Sequence, residues 1–351
     1  MKILVIDYIS FEAHQNFNKI HLEAFLRMGH SLHLVGNKGQ FDNIDKSDRI
    51  EISTIPHCFS RAYPFPQVTT RLKFIICLWW LQFRYHLKDY DLIVFPTYEP
   101  LSIHAFRTKY PVVLITHDGH YLDNKVKLIA LKSTPRHYLH ICLNRGMESH
   151  VRSLLPRRKV MYVPHGICPP SLALSMPSNI NEGDLFLFCP VNAKYKREFV
   201  EGILNNPVLK SYLEANKIKL YVKKQLVTTC TNGSVVTIEN NISKPEYDYM
   251  IQNALAVILP YDKEYMFRCS GIMFECVSRN TPVLTTRLAA MKEYEDMINL
   301  FMFDDVYSLI SEVDFIRHST LKKVDMAVFD PLPYWKIVFD VVNNGVTNRI
   351  V

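Results

Sequence analysis

Ten short apolar runs, spaced so that a helix fits between most neighbours, set the fold class of this chain. The first five are Lys2 to Ile6, Ser31 to Val35, Leu92 to Phe95, Val112 to Thr116 and Val160 to Val163. Five more follow at Leu185 to Cys189, Lys219 to Val222, Val235 to Ile238, Ala256 to Pro260 and Pro282 to Thr285. Near-continuous apolar runs of four or five residues, rather than strict alternation, predict parallel strands buried on both faces, so the class is α/β. Between the two series, Cys168 to Asp184 is rich in proline and small polar residues, which marks a linker. The predicted organisation is an N-terminal domain over 1–168, a linker over 169–184 and a second domain over 185–330. A last helix, over 331–351, closes the chain. A chain of 351 residues is long enough for two separate cores, and its 48% apolar content excludes disorder.

Charge is unevenly shared. Residues 1–180 hold 22 Lys and Arg against 13 Asp and Glu, and the remainder is close to balanced. The basic density peaks between Leu122 and Val160, where Lys125, Lys127, Lys132, Arg136, Arg145, Arg152, Arg157, Arg158 and Lys159 face only Asp123 and Glu148. Such a surface attracts polyanions unless it is an ordinary solvated face. No zinc-finger spacing, helix-turn-helix pattern or RNA-recognition signature accompanies it, which argues against a nucleic acid partner. Nearby, the run Phe74 to Leu87 carries Trp79 and Trp80 between basic flanks and is far too short to span a bilayer. It is either a core helix or an interfacial helix that offers one tryptophan to headgroups. The eight cysteines are scattered, with no C-x-x-C pair, so no zinc or redox site is indicated and a reducing compartment is expected. The N-terminus has a strand-like start and no signal-peptide core, which places the expected location in the cytoplasm.

Chemistry concentrates in R-C-S-G-I-M-F-E-C-V-S-R-N-T-P-V-L-T, Arg268 to Thr285. Ser270 and Gly271 open a predicted helix, Glu275 follows one turn later, and Pro282 starts an apolar strand. Helix N-termini leave N–H groups unpaired and carry partial positive charge, and glycine there lets an anion come close. Glu275 is then within reach of ribose hydroxyls. The plainer alternative is that Ser270-Gly271 only caps a helix.

Together with P-E-Y-D-Y-M-I-Q-N-A-L-A-V-I-L-P-Y (Pro245 to Tyr261), this stretch resembles the nucleotide-sugar site of GT-B glycosyltransferases, the glycogen-synthase-like superfamily. Weaker echoes are F-L-R-M-G-H-S-L-H-L-V (Phe25 to Val35) and V-P-H-G-I (Val163 to Ile167). The resemblance implies two Rossmann-like domains facing a central cleft, with donor bound by the C-terminal domain and acceptor by the N-terminal one. It also implies that the last helix passes back to the N-terminal domain. The expected catalytic set is His117, Asp118, Arg268, Lys194 and Arg197, the basic members neutralising the leaving diphosphate, with Lys224 as a further candidate. Donor binding falls to Ser270, Gly271, Glu275, Lys223 and Tyr261, and the acceptor side to Glu12 and His14. The glycine-rich turn that the superfamily often has after its first strand is missing here. Of its paired glutamates, eight positions apart, Glu275 matches the second and Phe267 stands at the first, with Glu264 just upstream. Retention or inversion is left open by this departure.

Asp118 has no second carboxylate in D-x-D spacing, so no metal and no cofactor are expected beyond a nucleoside diphosphate sugar, UDP being favoured. The expected activity is sugar transfer to a saccharide, plausibly a lipid-linked intermediate of bacterial surface polysaccharide, at the inner face of the cytoplasmic membrane. A sugar-nucleotide epimerase of the same fold and a non-catalytic partner subunit that binds nucleotide sugar are the alternatives.

Overall fold

The computed structural model describes residues 1–9, 14–59, 67–170, 172–191, 202–226 and 233–347. The chain divides into two compact units. Unit 1 comprises Met1–Gly166, Phe267–Cys269 and Phe329–Val351, and unit 2 comprises Ile167–Met266 and Ser270–Val328.

Unit 1 contains β1 (Lys2–Asp7), α1 (Gln15–Arg27), β2 (Ser31–Gly36), β3 (Ile50–Thr54), α2 (Gln67–Arg84), β4 (Leu92–Phe95), α3 (Pro100–Ile103) and β5 (Val112–Thr116). It continues through α4 (Lys125–Lys132), β6 (Leu139–Cys142), α5 (Arg145–Leu154) and β7 (Lys159–Tyr162). The seven strands form one sheet in the order β3-β2-β1-β4-β5-β6-β7, and every pairing is parallel. Strand periodicity divides the apolar residues of β1 between two cores. Ile3 and Val5 meet Phe17, Leu22 and Phe25 of α1, whereas Leu4 and Ile6 meet Phe74, Cys77, Leu78 and Leu81 of α2. A sheet covered on both faces needs apolar side chains at every position, and Ile3 through Ile6 are all fully buried.

Unit 2 holds β8 (Leu185–Cys189), α6 (Pro207–Ala215), β9 (Ile218–Lys223), β10 (Val235–Ile238), α7 (Lys244–Asn253), β11 (Ala256–Leu259) and α8 (Gly271–Ser278). After these come β12 (Val283–Thr286), α9 (Ala289–Lys292), β13 (Leu300–Phe303) and α10 (Val306–His318). Its six strands repeat the doubly wound order, β10-β9-β8-β11-β12-β13, again all parallel. The expected linker is counted with unit 2. It is tied down there, because Ser175 N donates to the Pro245 carbonyl at 3.2 Å and the Tyr221 hydroxyl to that of Asn179 at 3.1 Å.

The last helix, α11 (Leu332–Thr347), belongs to unit 1. Trp335 is fully buried edge-on against Phe25, their centroids 4.7 Å apart, and its indole N–H donates to His21 Nδ1 at 2.8 Å. Tryptophan buries more apolar surface than any other side chain but needs a partner for its one donor; α1 supplies both.

In both sheets the strand order reverses beside the first strand of the unit, between β1 and β4 and between β8 and β11. The carboxyl ends at such switch points open the crevices where doubly wound sheets bind ligands.

Candidate active site

In unit 2 the chain leaves β11 through Pro260 and Tyr261 and reaches the N-terminus of α8 at Ser270. Ser270 is the cap: its side chain accepts from Met273 N at 3.1 Å, and its Oγ lies 2.6 Å from the Tyr261 hydroxyl. Tyr261 is itself buried, stacked on Tyr265 with centroids 3.8 Å apart, and its carbonyl accepts from Thr286 Oγ1. Tyr261 is thus placed to hold the cap from beneath. Gly271 is exposed, and among the described residues nothing lies within 4 Å of a Cβ built on it. The first turn of α8 therefore presents backbone at Gly271 with the helix's partial positive charge, and no side chain of the described residues meets that position.

Met273, Phe274, Cys276 and Val277 bury the inner face of α8 and leave Glu275 on the other side, half-buried. Its carboxylate accepts from the Tyr247 hydroxyl at 3.0 Å. Burial pushes the Glu275 carboxyl up from its ordinary range, against the opposing pull of Lys244. A desolvated carboxylate gains from every further O–H donor brought to it, which is what the vicinal hydroxyls of a ribose offer. Behind it, Asp248 is wholly buried and paired with Arg279 at 2.7 Å and with Lys244. Arg279 also donates to the Glu275 carbonyl at 3.1 Å, so this ion pair fixes the end of α8. Lys223 ends β9 half-buried, and desolvation lowers its ammonium pKa.

In unit 1 the ends of β1, β4 and β5 gather a cluster of histidines. His117 follows β5; its Nε2–H donates to the Pro96 carbonyl at 2.8 Å, leaving Nδ1 as the acceptor of the ring. Burial and then the neighbouring His14 and His165 hold its pKa well below the usual histidine range. A ring that stays neutral orients a hydroxyl better than it takes its proton. His14 stacks on it at 4.4 Å, reaching across from the left-handed start of α1 (φ 69°), with Nδ1 3.2 Å from Thr97 Oγ1. A side chain other than glycine held at positive φ marks a place where the fold imposes position at the cost of strain. Asp7, fully buried at the end of β1, accepts from Asn18 and Gln40 at 3.0 Å each.

Asp118 and Arg268, 150 positions apart, meet in unit 1. Arg268 Nε and Nη2 both lie 2.6 Å from Asp118 Oδ2, and the two backbones form an isolated antiparallel bridge. Gly119 N donates to the Phe267 carbonyl at 2.8 Å, and a Cβ at Gly119 would come within 3.2 Å of Phe267 and Met147. A larger residue would hold the strands of this bridge apart. Asn144 Nδ2 caps the other side by donating to the Arg268 carbonyl at 3.2 Å.

The structure therefore gathers His14 and His117 in one cluster, pairs Asp118 with Arg268, and sets Ser270, Gly271, Glu275 and Tyr261 around one helix. Lys194, Arg197 and Glu12 lie outside the described residues. Sequence reading passed over Asp7, Thr97, His21 and His165. His165 was in view within V-P-H-G-I, but nothing in that pentapeptide tells that its carbonyl receives His21 Nε2 at 3.1 Å.

No family model matches the chain, and no curated protein matches it in sequence. Solved structures do match in fold. A UDP-forming α,α-trehalose-phosphate synthase from Burkholderia xenovorans superposes with a TM-score of 0.66 at 11% identity, covering 99% of this chain and 99% of that one. The trehalose-6-phosphate synthase of E. coli bound with UDP-2-fluoro glucose gives 0.65 at 11% identity, covering 98% and 95%. The lipopolysaccharide outer core galactosyltransferase WaaB, in its apo form, gives 0.55 at 12% identity, covering 94% of each chain. The fold they share with this chain is GT-B, two Rossmann-like units each built on a parallel sheet.

Proposed function

We propose that this GT-B chain is a glycosyltransferase that moves a sugar from a nucleoside diphosphate sugar, UDP being the favoured nucleotide, to a saccharide acceptor. The observation that carries the reading is the start of α8: an exposed Gly271 on a helix capped by Ser270, with a desolvated Glu275 one turn on. An anion site and a hydroxyl site one helical turn apart match the diphosphate and ribose of one ligand. Calorimetry tests this. Glu275→Ala is expected to weaken UDP binding by about 1–3 kcal/mol, the cost of a lost charged hydrogen bond. Wild-type affinity in a folded variant would remove Glu275 from the site.

Charge on the leaving diphosphate is met in this reading by cationic side chains and the α8 N-terminus, not by a divalent ion. Turnover in excess chelator is expected to stay near its full value. Loss of activity that magnesium restores would overturn that assignment.

The acceptor we propose is lipid-linked, an intermediate of bacterial surface polysaccharide, used at the inner face of the cytoplasmic membrane. Supporting this, α2 has two apolar faces. Phe74, Cys77, Leu78 and Leu81 enter the core, and Trp80 packs on Phe59 and Tyr85. Leu72, Ile76, Trp79 and Phe83 stay exposed, Phe83 to 89%. Their spacing places them on one stripe, the pattern of a helix that lies in an interface. Among the described residues no helix is long and apolar enough to cross a membrane.

A further inference from the structure

At the edge of the unit 1 sheet opposite the strand ends that carry the histidines, the turns entering β6 and β7 enclose a depression of about 320 Å3. Lys132, Arg136, Leu155, Pro156, Arg157 and Arg158 line it. The only acids between Leu122 and Val160 are engaged elsewhere. Glu148 pairs with Arg145 and Arg152, and Asp123 with His120 and His150. Four cations therefore share one concavity without a carboxylate of their own stretch.

Arg158 is the built part of it. One terminal nitrogen, Nη2, donates to the carbonyls of Lys132 and Thr134, each at 2.6 Å, which braces the turn after α4. The other, Nη1, is buried with no hydrogen-bond partner among the described residues. A buried donor without an acceptor is costly, and the like charge of Arg136 adds to that cost. An anion with several acceptor oxygens relieves both at once, and guanidinium forks match phosphate oxygens best.

Free phosphate esters and lipid headgroups share that chemistry, and the surroundings favour the lipid. Val126 and Ile129 of α4, the helix that ends at Lys132, are exposed. Both α4 and α2, with its exposed apolar stripe, pack on the same core. A phosphate seated in the depression would have acyl chains beside apolar side chains.

We propose that this depression is a headgroup pocket for the phosphate of an anionic phospholipid, separate from the site of sugar transfer. It deepens the membrane reading above and depends on no step of the transfer chemistry.

Co-sedimentation of the full chain with vesicles of phosphatidylglycerol in phosphatidylcholine tests it, against Arg136→Gln/Arg157→Gln and a charge-matched control, Lys88→Gln/Arg107→Gln. Arg158 is left in place because it braces the turn. The pocket variant is expected to bind roughly tenfold more weakly and the control less than threefold, two cations being lost in each. Glycerol 1-phosphate at millimolar concentration should compete for the wild type and not for the pocket variant. Equal losses in the two variants would reduce the pocket to diffuse attraction and overturn the proposal. Binding of glycerol phosphate by calorimetry, lost in the pocket variant, with no vesicle binding would make the occupant a soluble phosphate ester and overturn the lipid assignment. UDP affinity, measured alongside, separates these outcomes from any failure of the transferase reading.

Discussion

Arg268→Ala is expected to lower kcat by about two to three orders of magnitude, the usual loss when a group aimed at developing charge is removed. The donor KM should change far less, because the charge on a leaving diphosphate grows in the transition state. Arg268 stands two positions before the Ser270 cap and is locked by Asp118 at 2.6 Å. A guanidinium already fixed by a carboxylate loses little freedom on meeting a second anion. Asp118→Asn should then show a smaller loss in kcat, since it frees Arg268 without deleting it. Each variant needs a thermal unfolding control, because either change breaks an ion pair that is largely shielded from water, with 31% and 17% of the two side chains exposed. Unaltered kcat in a folded Arg268→Ala enzyme would reduce the pair to a structural clasp.

The second large effect is acid lability of unit 1. Burial pushes His21 and His140 down to about 3 and His165 to about 4. In the unfolded chain each returns to near 6.5. Below that pH the unfolded state takes up protons that the folded state refuses. Stability is therefore complete above about pH 6.5 and falls as pH drops toward 4, by about 1.4 kcal/mol per pH unit for each ring. Three such rings give a slope of about 4 kcal/mol per unit. The geometry explains the resistance of His21. Its Nδ1 accepts from Trp335 and its Nε2–H donates to the His165 carbonyl, so a second proton has no place. His140 differs, for both of its ring nitrogens are buried without partners among the described residues. His140→Phe should therefore raise stability at pH 7 and remove one ring's share of the acid slope, about 1.4 kcal/mol per pH unit. Urea titrations between pH 7.5 and 5 provide the measurement. A flat stability profile would mean that these rings charge inside the fold.

Much of the scaffold is legible in the sequence because buried parallel strands spell themselves out as apolar runs. Leu92–Phe95, Val112–Thr116, Leu185–Cys189 and Val235–Ile238 run where the sequence puts them. Three strands are passed over, each for a physical reason. β3 (I-E-I-S-T) is an edge strand with exposed positions and no apolar run. β6 (L-H-I-C) is broken by a histidine, and β13 (L-F-M-F) has no β-branched residue to tell it from a buried helical turn.

At the site, local signals carry and distant ones do not. Ser270 as cap and Glu275 one turn later follow from helix geometry. The union of Asp118 with Arg268 depends on a backbone bridge across 150 positions, for which one sequence holds no signal. Nor does the sequence choose between Trp79 and Trp80, which are adjacent on α2 and differ only in which way the core lies.

The burial of Trp335 bears on how this polypeptide is made. Unit 1 begins at Met1, yet one face of its sheet is completed by residues that leave the ribosome after the whole of unit 2. Domains are ordinarily finished in the order of synthesis, at about 5–20 residues per second. Here the earlier-begun of the two units is the later to close, and for the tens of seconds between, the apolar side of α1 awaits its cover. A chaperone that shields Phe25 and its neighbours over that interval would act on a vulnerability fixed by chain order alone, whatever the finished molecule's stability.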